Sequence, residues 1–195
     1  MDDSRYAQDE FERRGFILDR GLFAREEMWA VDDALRHARD PDIALTLSRH
    51  RRLVLTSERL GGRSVSLAAY AIDANPARHD DSGHQLIVAV FLGDLDPCER
   101  ALLVAPGSHR VARPRTLDNL ETYLDWMASG RELEMLSGPA GSAAFLHPRL
   151  FYMVSRSPGA RARTMLFLSY GAATGGGASQ DGAILWPPAH AWTAG

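Results

Sequence analysis

The chain contains no lysine; all 22 of its basic residues are arginine. Mechanisms that need a lysine side-chain amine, as Schiff-base partner or nucleophile, are therefore excluded. Cysteine is nearly absent as well. Cys98 stands alone, which rules out an internal disulfide, a thiolate zinc cluster and an iron–sulfur cluster. Within DPCER it reads as a small turn residue rather than a nucleophile. No apolar run is long enough to span a bilayer, and the charged opening MDDSRYAQDEFERRG lacks the apolar centre of a secretion signal. A cytoplasmic protein is expected. The net charge is −3 with both signs interspersed, so no nucleic-acid or membrane footprint stands out. The all-arginine usage, with abundant Ala and Gly, points to a GC-rich bacterial genome. Nothing in the sequence sets the oligomeric state.

What is present suits one compact domain over residues 1–195, since 45% of the residues are hydrophobic. A helix is expected at about 4–14, a short strand in RGFILDR (14–20), and a second helix at about 24–38. In that helix Met28, Val31 and Leu35 recur at helical spacing, so its Met and Trp content reads as core. Residues 39–60 are Arg-rich and read as short helix and loop, a solvated face. From Ser64 onward the pattern changes. SVSLAAYAI, HQLIVAVFLG, ALLVA, ELEMLS, GSAAFL, LFYMVS and ARTMLFLSY are short apolar or alternating runs separated by turn-like segments. One helix interrupts them at about 116–129, with Leu117, Leu120, Leu124 and Met127 on one face and Gly130 to end it. The Gly-rich 173–182 reads as a mobile loop, since it lacks the spacing and the strand-to-helix context of a phosphate cradle. The tail ILWPPAHAW is expected to pack on the barrel or cover its mouth, with His190 incidental. Together these predict an all-β core with flanking helices, an antiparallel barrel or jelly roll, which is able to hold one small ligand.

The chemistry-bearing residues sit in RHDD, 78–81. On a strand, residues i and i+2 point to one side. His79 and Asp81 would then offer an imidazole nitrogen and a carboxylate to one ion, and a distant second His would complete a 2-His-1-carboxylate site for Fe(II). Taken alone, HDDSG is equally an ordinary polar loop.

The wider pattern resembles the phytanoyl-CoA dioxygenase family of Fe(II)/2-oxoglutarate oxygenases. EFERRGFILDRGLFAREEMWAVDDAL looks like that family's opening helix–strand–helix, and RHDD stands where its H-x-D stands. LGDLDPCERALLVAPGSHR resembles its stretch ending in PGSH, and AGSAAFLHPRLFYMVSRSPGARARTMLFLSY resembles the segment carrying the distal His and an Arg. The resemblance implies a double-stranded β-helix, a cupin-like jelly roll. It also implies Fe(II) on His79 and Asp81, 2-oxoglutarate as cosubstrate and a small-molecule substrate. Its distal ligand position falls on Tyr152 and its 2-oxoglutarate Arg on Arg163, 11 residues further on, with Arg161 as second candidate. Gly141 falls on the family's Gly-Asp turn and Tyr170 on its closing strand. His109 in PGSH looks like a turn and structural residue, not a ligand.

The departures bear on activity. Tyr152 replaces a neutral nitrogen donor by a phenol of ordinary pKa about 10, a poor ligand for Fe(II) near neutral pH. His147 is the alternative third ligand, but Pro148 follows it, which is unwelcome in a central strand, and it reads better as a rim residue. Ser142 stands where the Gly-Asp turn has its acid, and Arg100 where an Asn-Gly pair has its Gly. Two readings of function stay open. One is an oxygenase with a weakened metal site, in specialised biosynthesis. The other uses no cofactor: a metal-independent cyclase or isomerase with Tyr152 as proton donor and His79 or Asp81 as base, or a non-catalytic binding protein on the same fold.

Overall fold

The computed structural model describes residues 3–37, 41–62, 64–72, 84–95, 100–110, 132–156, 165–172 and 184–185. The chain opens with α1 (Asp3–Arg14), β1 (Phe16–Asp19), α2 (Arg25–His37), α3 (Pro41–Ser48) and α4 (Arg51–Gly61). Strands follow: β2 (Val65–Ile72), β3 (His84–Phe91), β4 (Arg100–Val104), β5 (Glu134–Leu136), β6 (Ala143–Leu146), β7 (Tyr152–Arg156), β8 (Met165–Ala172) and β9 (Ile184–Leu185). A 3-10 turn, Ser108–Arg110, follows β4.

The strands form two sheets. A six-stranded sheet has the order β1-β6-β3-β8-β2-β9, and a three-stranded sheet has the order β5-β4-β7. All pairings are antiparallel except the parallel β2–β9 contact. Ile184 and Leu185 pair with Ala69 and Tyr70 at the edge of the larger sheet. The rest of the tail, expected to pack on the barrel or cover its mouth, lies outside the described residues.

Strand alternation explains why the central strands read as unbroken apolar runs. Leu86, Val88 and Val90 of β3 join Phe11, Met28 and Leu53 of the helices in one core cluster. Ile87, Ala89 and Phe91 point the other way, into a second cluster with Leu102, Val104, Tyr152 and Phe167 between the sheets. β8 divides likewise, with Leu166, Leu168 and Tyr170 on the helix side and Met165 and Phe167 between the sheets. A strand covered on both faces has no solvent side to make polar.

The Arg-rich segment departs from expectation. Residues 41–61 form two helices, and Ala44, Leu47, Leu53 and Leu60 from them are buried in the helix-side core. Gly62, at φ 70°, closes α4 in the left-handed conformation common at helix ends. The solvated-face reading is thus corrected: the arginines mark one side only of an amphipathic pair. Trp29 is corrected too. Met28 and Leu35 of α2 are fully packed, but Trp29 is 55% exposed, with Arg25 lying over its ring.

The topology has one feature of consequence for function. β2 and β3 lie on opposite sides of β8, each antiparallel to it, so they run parallel to each other. Residues 73–83 stand between them in the sequence. That segment, with His79 and Asp81, lies outside the described residues, as do 157–164 and the helix expected at 116–129.

Candidate functional site

β7 begins at Tyr152, opposite Val104 of β4. Tyr152 shares its strand phase with Val154, and both face between the sheets. The Tyr152 side chain is buried and its ring stacks on Phe167 of β8, with centroids 5.9 Å apart and planes at 21°. Phe167 belongs to the larger sheet, so this pair ties the two walls of the barrel together. Around it lie Ala89, Phe91, Leu102 and Leu136. Among the described residues β7 has a partner on one edge only, β4.

The PGSH stretch builds the approach to Tyr152. After β4 the chain turns at Gly107, whose φ of 76° favours glycine. The Gly107 N–H donates to the Arg14 carbonyl at 2.7 Å. Ser108 Oγ accepts the Phe151 N–H at 2.8 Å, and the Ala105 N–H donates to the Phe151 carbonyl at 2.9 Å. His109 packs behind them, its Nε2 3.0 Å from the Glu12 carbonyl and its ring 4.8 Å from that of His147. His147 stands just after β6, its N–H donating to the Gly15 carbonyl at 2.8 Å and its Nδ1 accepting the Arg149 N–H at 3.1 Å. It is half-buried against His109 and Phe11. Both histidines thus support turns.

Gly141 has a φ of 92°, and a Cβ there would land on the Phe23 carbonyl oxygen. Its N–H donates to the Phe91 carbonyl at 2.9 Å, and its own carbonyl accepts the Phe23 N–H at 3.0 Å. Ser142, in place of an acid, donates from Oγ to the Pro139 carbonyl at 2.7 Å. The carboxylate at this turn comes instead from Asp94, which accepts the Ala140 N–H at 2.9 Å. Tyr170 lies on the opposite face from Tyr152. Its hydroxyl donates to the Ser48 carbonyl at 2.9 Å, and burial pushes its phenol far up from the ordinary value.

His79, Asp81, Arg161, Arg163, Cys98 and His190 lie outside the described residues. Among the described residues no three His, Cys, Asp or Glu side chains gather as a metal would require, and no helix is long and apolar enough to cross a membrane. A surface cavity of about 480 Å³, not foreseen from the sequence, lies between α1, β1, α4 and β5, lined by Glu10, Arg14, Arg59 and Met135 among others. It needs four separated segments to meet, and Tyr152 does not line it.

Several solved structures share this arrangement. The epimerase SnoN, in a complex with Fe3+, alpha ketoglutarate and nogalamycin RO, superposes with a TM-score of 0.70 at 18% identity, over 95% of this chain and 96% of its own. EctD from S. alaskensis with bound Fe gives 0.67 at 21% identity, over 86% and 76%. The non-heme alpha ketoglutarate dependent carbocyclase SnoK from nogalamycin biosynthesis gives 0.65 at 15% identity, over 87% and 84%. The chain has their double-stranded β-helix fold. No family model matches the sequence, and no curated protein matches it.

The donor set decides what an iron ion would find at the described wall. Tyr152 brings a phenol into surroundings of Phe167, Leu102 and Val104. A phenol is not the nitrogen donor that a facial triad needs, and His79 and Asp81 lie outside the described residues.

Proposed function

We propose that the protein is an enzyme of the non-haem Fe(II)/2-oxoglutarate oxygenase type, similar to the phytanoyl-CoA dioxygenase family. It acts on a small organic molecule in specialised metabolism, with a metal site reduced to His79 and Asp81. The fold shared with alpha ketoglutarate dependent enzymes supports this reading. One observation bears on the metal site: the first residue of β7, where the family pattern has its distal ligand, is a tyrosine buried between the sheets. The H-x-D pair lies in the segment linking the parallel strands β2 and β3. Arg163 stands two residues before Met165, where β8 begins. In that role Arg163 would hold the far carboxylate of 2-oxoglutarate through a paired, charge-assisted contact.

Bound iron with 2-oxoglutarate would supply oxidation of a carbon–hydrogen bond. The chain's own contribution at the described wall is placement. Tyr152 and Phe167 stack on each other between the sheets, within a cluster of apolar side chains.

The same observation favours a second reading in which no metal takes part. In it the buried Tyr152 hydroxyl donates a proton, with His79 or Asp81 as base, in a cyclisation or isomerisation. Such acid–base help is worth roughly 10²–10⁴-fold in rate. An epimerase and a carbocyclase share this fold. The one holds Fe3+ and alpha ketoglutarate and the other is alpha ketoglutarate dependent, so they support rearrangement and not loss of the metal. Iron analysis and conversion of 2-oxoglutarate to succinate separate the two. The first reading predicts iron-dependent succinate that disappears with chelator and without oxygen. Activity that survives both treatments but falls in Tyr152→Phe would establish the second.

A further inference from the structure

His109 is 8% exposed, and its two ring nitrogens sit in unlike surroundings. Nε2 faces the Glu12 carbonyl. A carbonyl only accepts, so Nε2 carries the proton and Nδ1 holds the lone pair. Nδ1 is buried and has no hydrogen-bond partner among the described residues. It presses against Gly15, where a Cβ would run into the imidazole. A buried polar atom without a partner is uncommon and asks for a reason.

Charged groups of both signs surround the ring, and the two that act on it directly, Arg110 and Arg149, are positive. α1 contributes the Glu12 carbonyl, the exposed side chains of Glu12 and Arg13, and Arg14, which is held by Glu10 and Glu134. From the same 3-10 turn comes Arg110, whose Nε and a terminal guanidinium nitrogen donate to that carbonyl at 3.1 and 2.5 Å. The turn after β6 contributes the His147 ring and Arg149. A second proton on His109 would place an N–H at Nδ1 with no acceptor, against Gly15, beside two arginines. Burial first, and then Arg110 and Arg149, hold the His109 pKa below its ordinary 6.5, while the Glu12 carbonyl works the other way.

The ring is also one side of the grip on residues 147–151. The His147 N–H reaches the Gly15 carbonyl, the Leu150 N–H reaches the His147 carbonyl at 2.8 Å, and Phe151 is held at both its N–H and its carbonyl by Ser108 and Ala105. Tyr152 is the next residue. We propose that the Ser108–His109 turn is a pH-sensitive clamp on the start of β7, and that a second proton on His109 loosens residues 147–151 and frees Tyr152 to shift within the barrel. The consequence for Tyr152 rests on the proposed function, whereas the clamp does not.

Residue-level hydrogen exchange on the full chain tests it, at about pH 8 and about pH 5.5, on either side of the ordinary histidine value. Protection of the 147–153 amides, corrected for the chemical exchange rate, is expected to fall at least about tenfold on acidification, a local opening. Amides of β3 and β8 should keep theirs. His109→Gln retains a donor for the Glu12 carbonyl but takes up no proton, and should lose the response; His147→Gln should keep it. No local loss in the wild type, or a response that survives His109→Gln, overturns the clamp. If His109→Gln does not fold, an imidazole NMR titration of the wild type decides. His109 and the Phe151 amide are expected to shift with one midpoint below 6.5, and unequal midpoints overturn it. No metal and no turnover enter these readouts, so failure of the clamp and failure of the proposed function are seen separately.

Discussion

Tyr152 has a ring and a hydroxyl, and the two are separable by mutation. The ring fills the space between the sheets against Phe167, so Tyr152→Ala should cost about 3–5 kcal/mol in urea unfolding, as large-to-small aromatic changes in cores do. Tyr152→Phe keeps the stack and should stay within about 1.5 kcal/mol of the wild type. If the phenol donates a proton, the same variant should lose roughly 10²–10⁴-fold in turnover. His109 makes a prediction in pH. Its folded-state pKa lies below the ordinary 6.5, so the unfolded chain takes up the proton first as pH falls. The stabilisation is complete above about 6.5 and is lost as pH drops through the folded value. Urea midpoints should therefore decline on acidification, and His109→Gln should flatten that decline. At this scale the sequence was informative where the family pattern or an apolar run decided. The family pattern singled out Tyr152, and Phe167, its stacking partner on β8, lies within an apolar run that marked a strand. The orphaned His109 nitrogen could not be foreseen, because it depends on Gly15 coming close from a segment far away in the chain.

Elements were legible where apolar residues dominated and were misread where charge did. β3, β6 and β8 lie within the apolar runs that announced them, since both of their faces are buried. α4 was obscured because Arg51, Arg52 and Arg59 crowd a segment whose buried face is only Leu53, Ser57 and Leu60. A serine in the middle of the stripe hides its helical period. Leu53→Ala should therefore behave as a core truncation and cost about 2–5 kcal/mol. The turn before β6 tests a different device. Gly141→Ala places a Cβ on the Phe23 carbonyl oxygen at a φ that disfavours side chains, and the backbone strain alone is worth about 1–3 kcal/mol. Calorimetry should show a clear fall in melting temperature. Asp94 and Arg25 form an exposed ion pair at 2.7 Å, worth roughly 0.2–1 kcal/mol. Asp94 also accepts the Ala140 N–H, so Asp94→Ala should cost more than Arg25→Ala, and denaturant midpoints will rank them.

For the molecule as a whole, the jelly-roll class followed from many short strands after a helical opening. The strand order did not. Nothing local tells β2 and β3 to flank β8, because that neighbourhood is set by long-range pairing across two sheets. The order matters, since it makes the segment bearing His79 and Asp81 the connection between two parallel strands of one barrel wall, while Tyr152 occupies the other wall. Fold alone does not convey activity. The proposed function therefore turns on what replacing an imidazole by Tyr152 does to iron. Anaerobic titration of the full chain with Fe(II) in the presence of 2-oxoglutarate, comparing the wild type with Tyr152→His, measures this most directly. The account predicts weak binding in the wild type, tightened at least about tenfold when the nitrogen donor is restored. Equal affinity in the two proteins would contradict it.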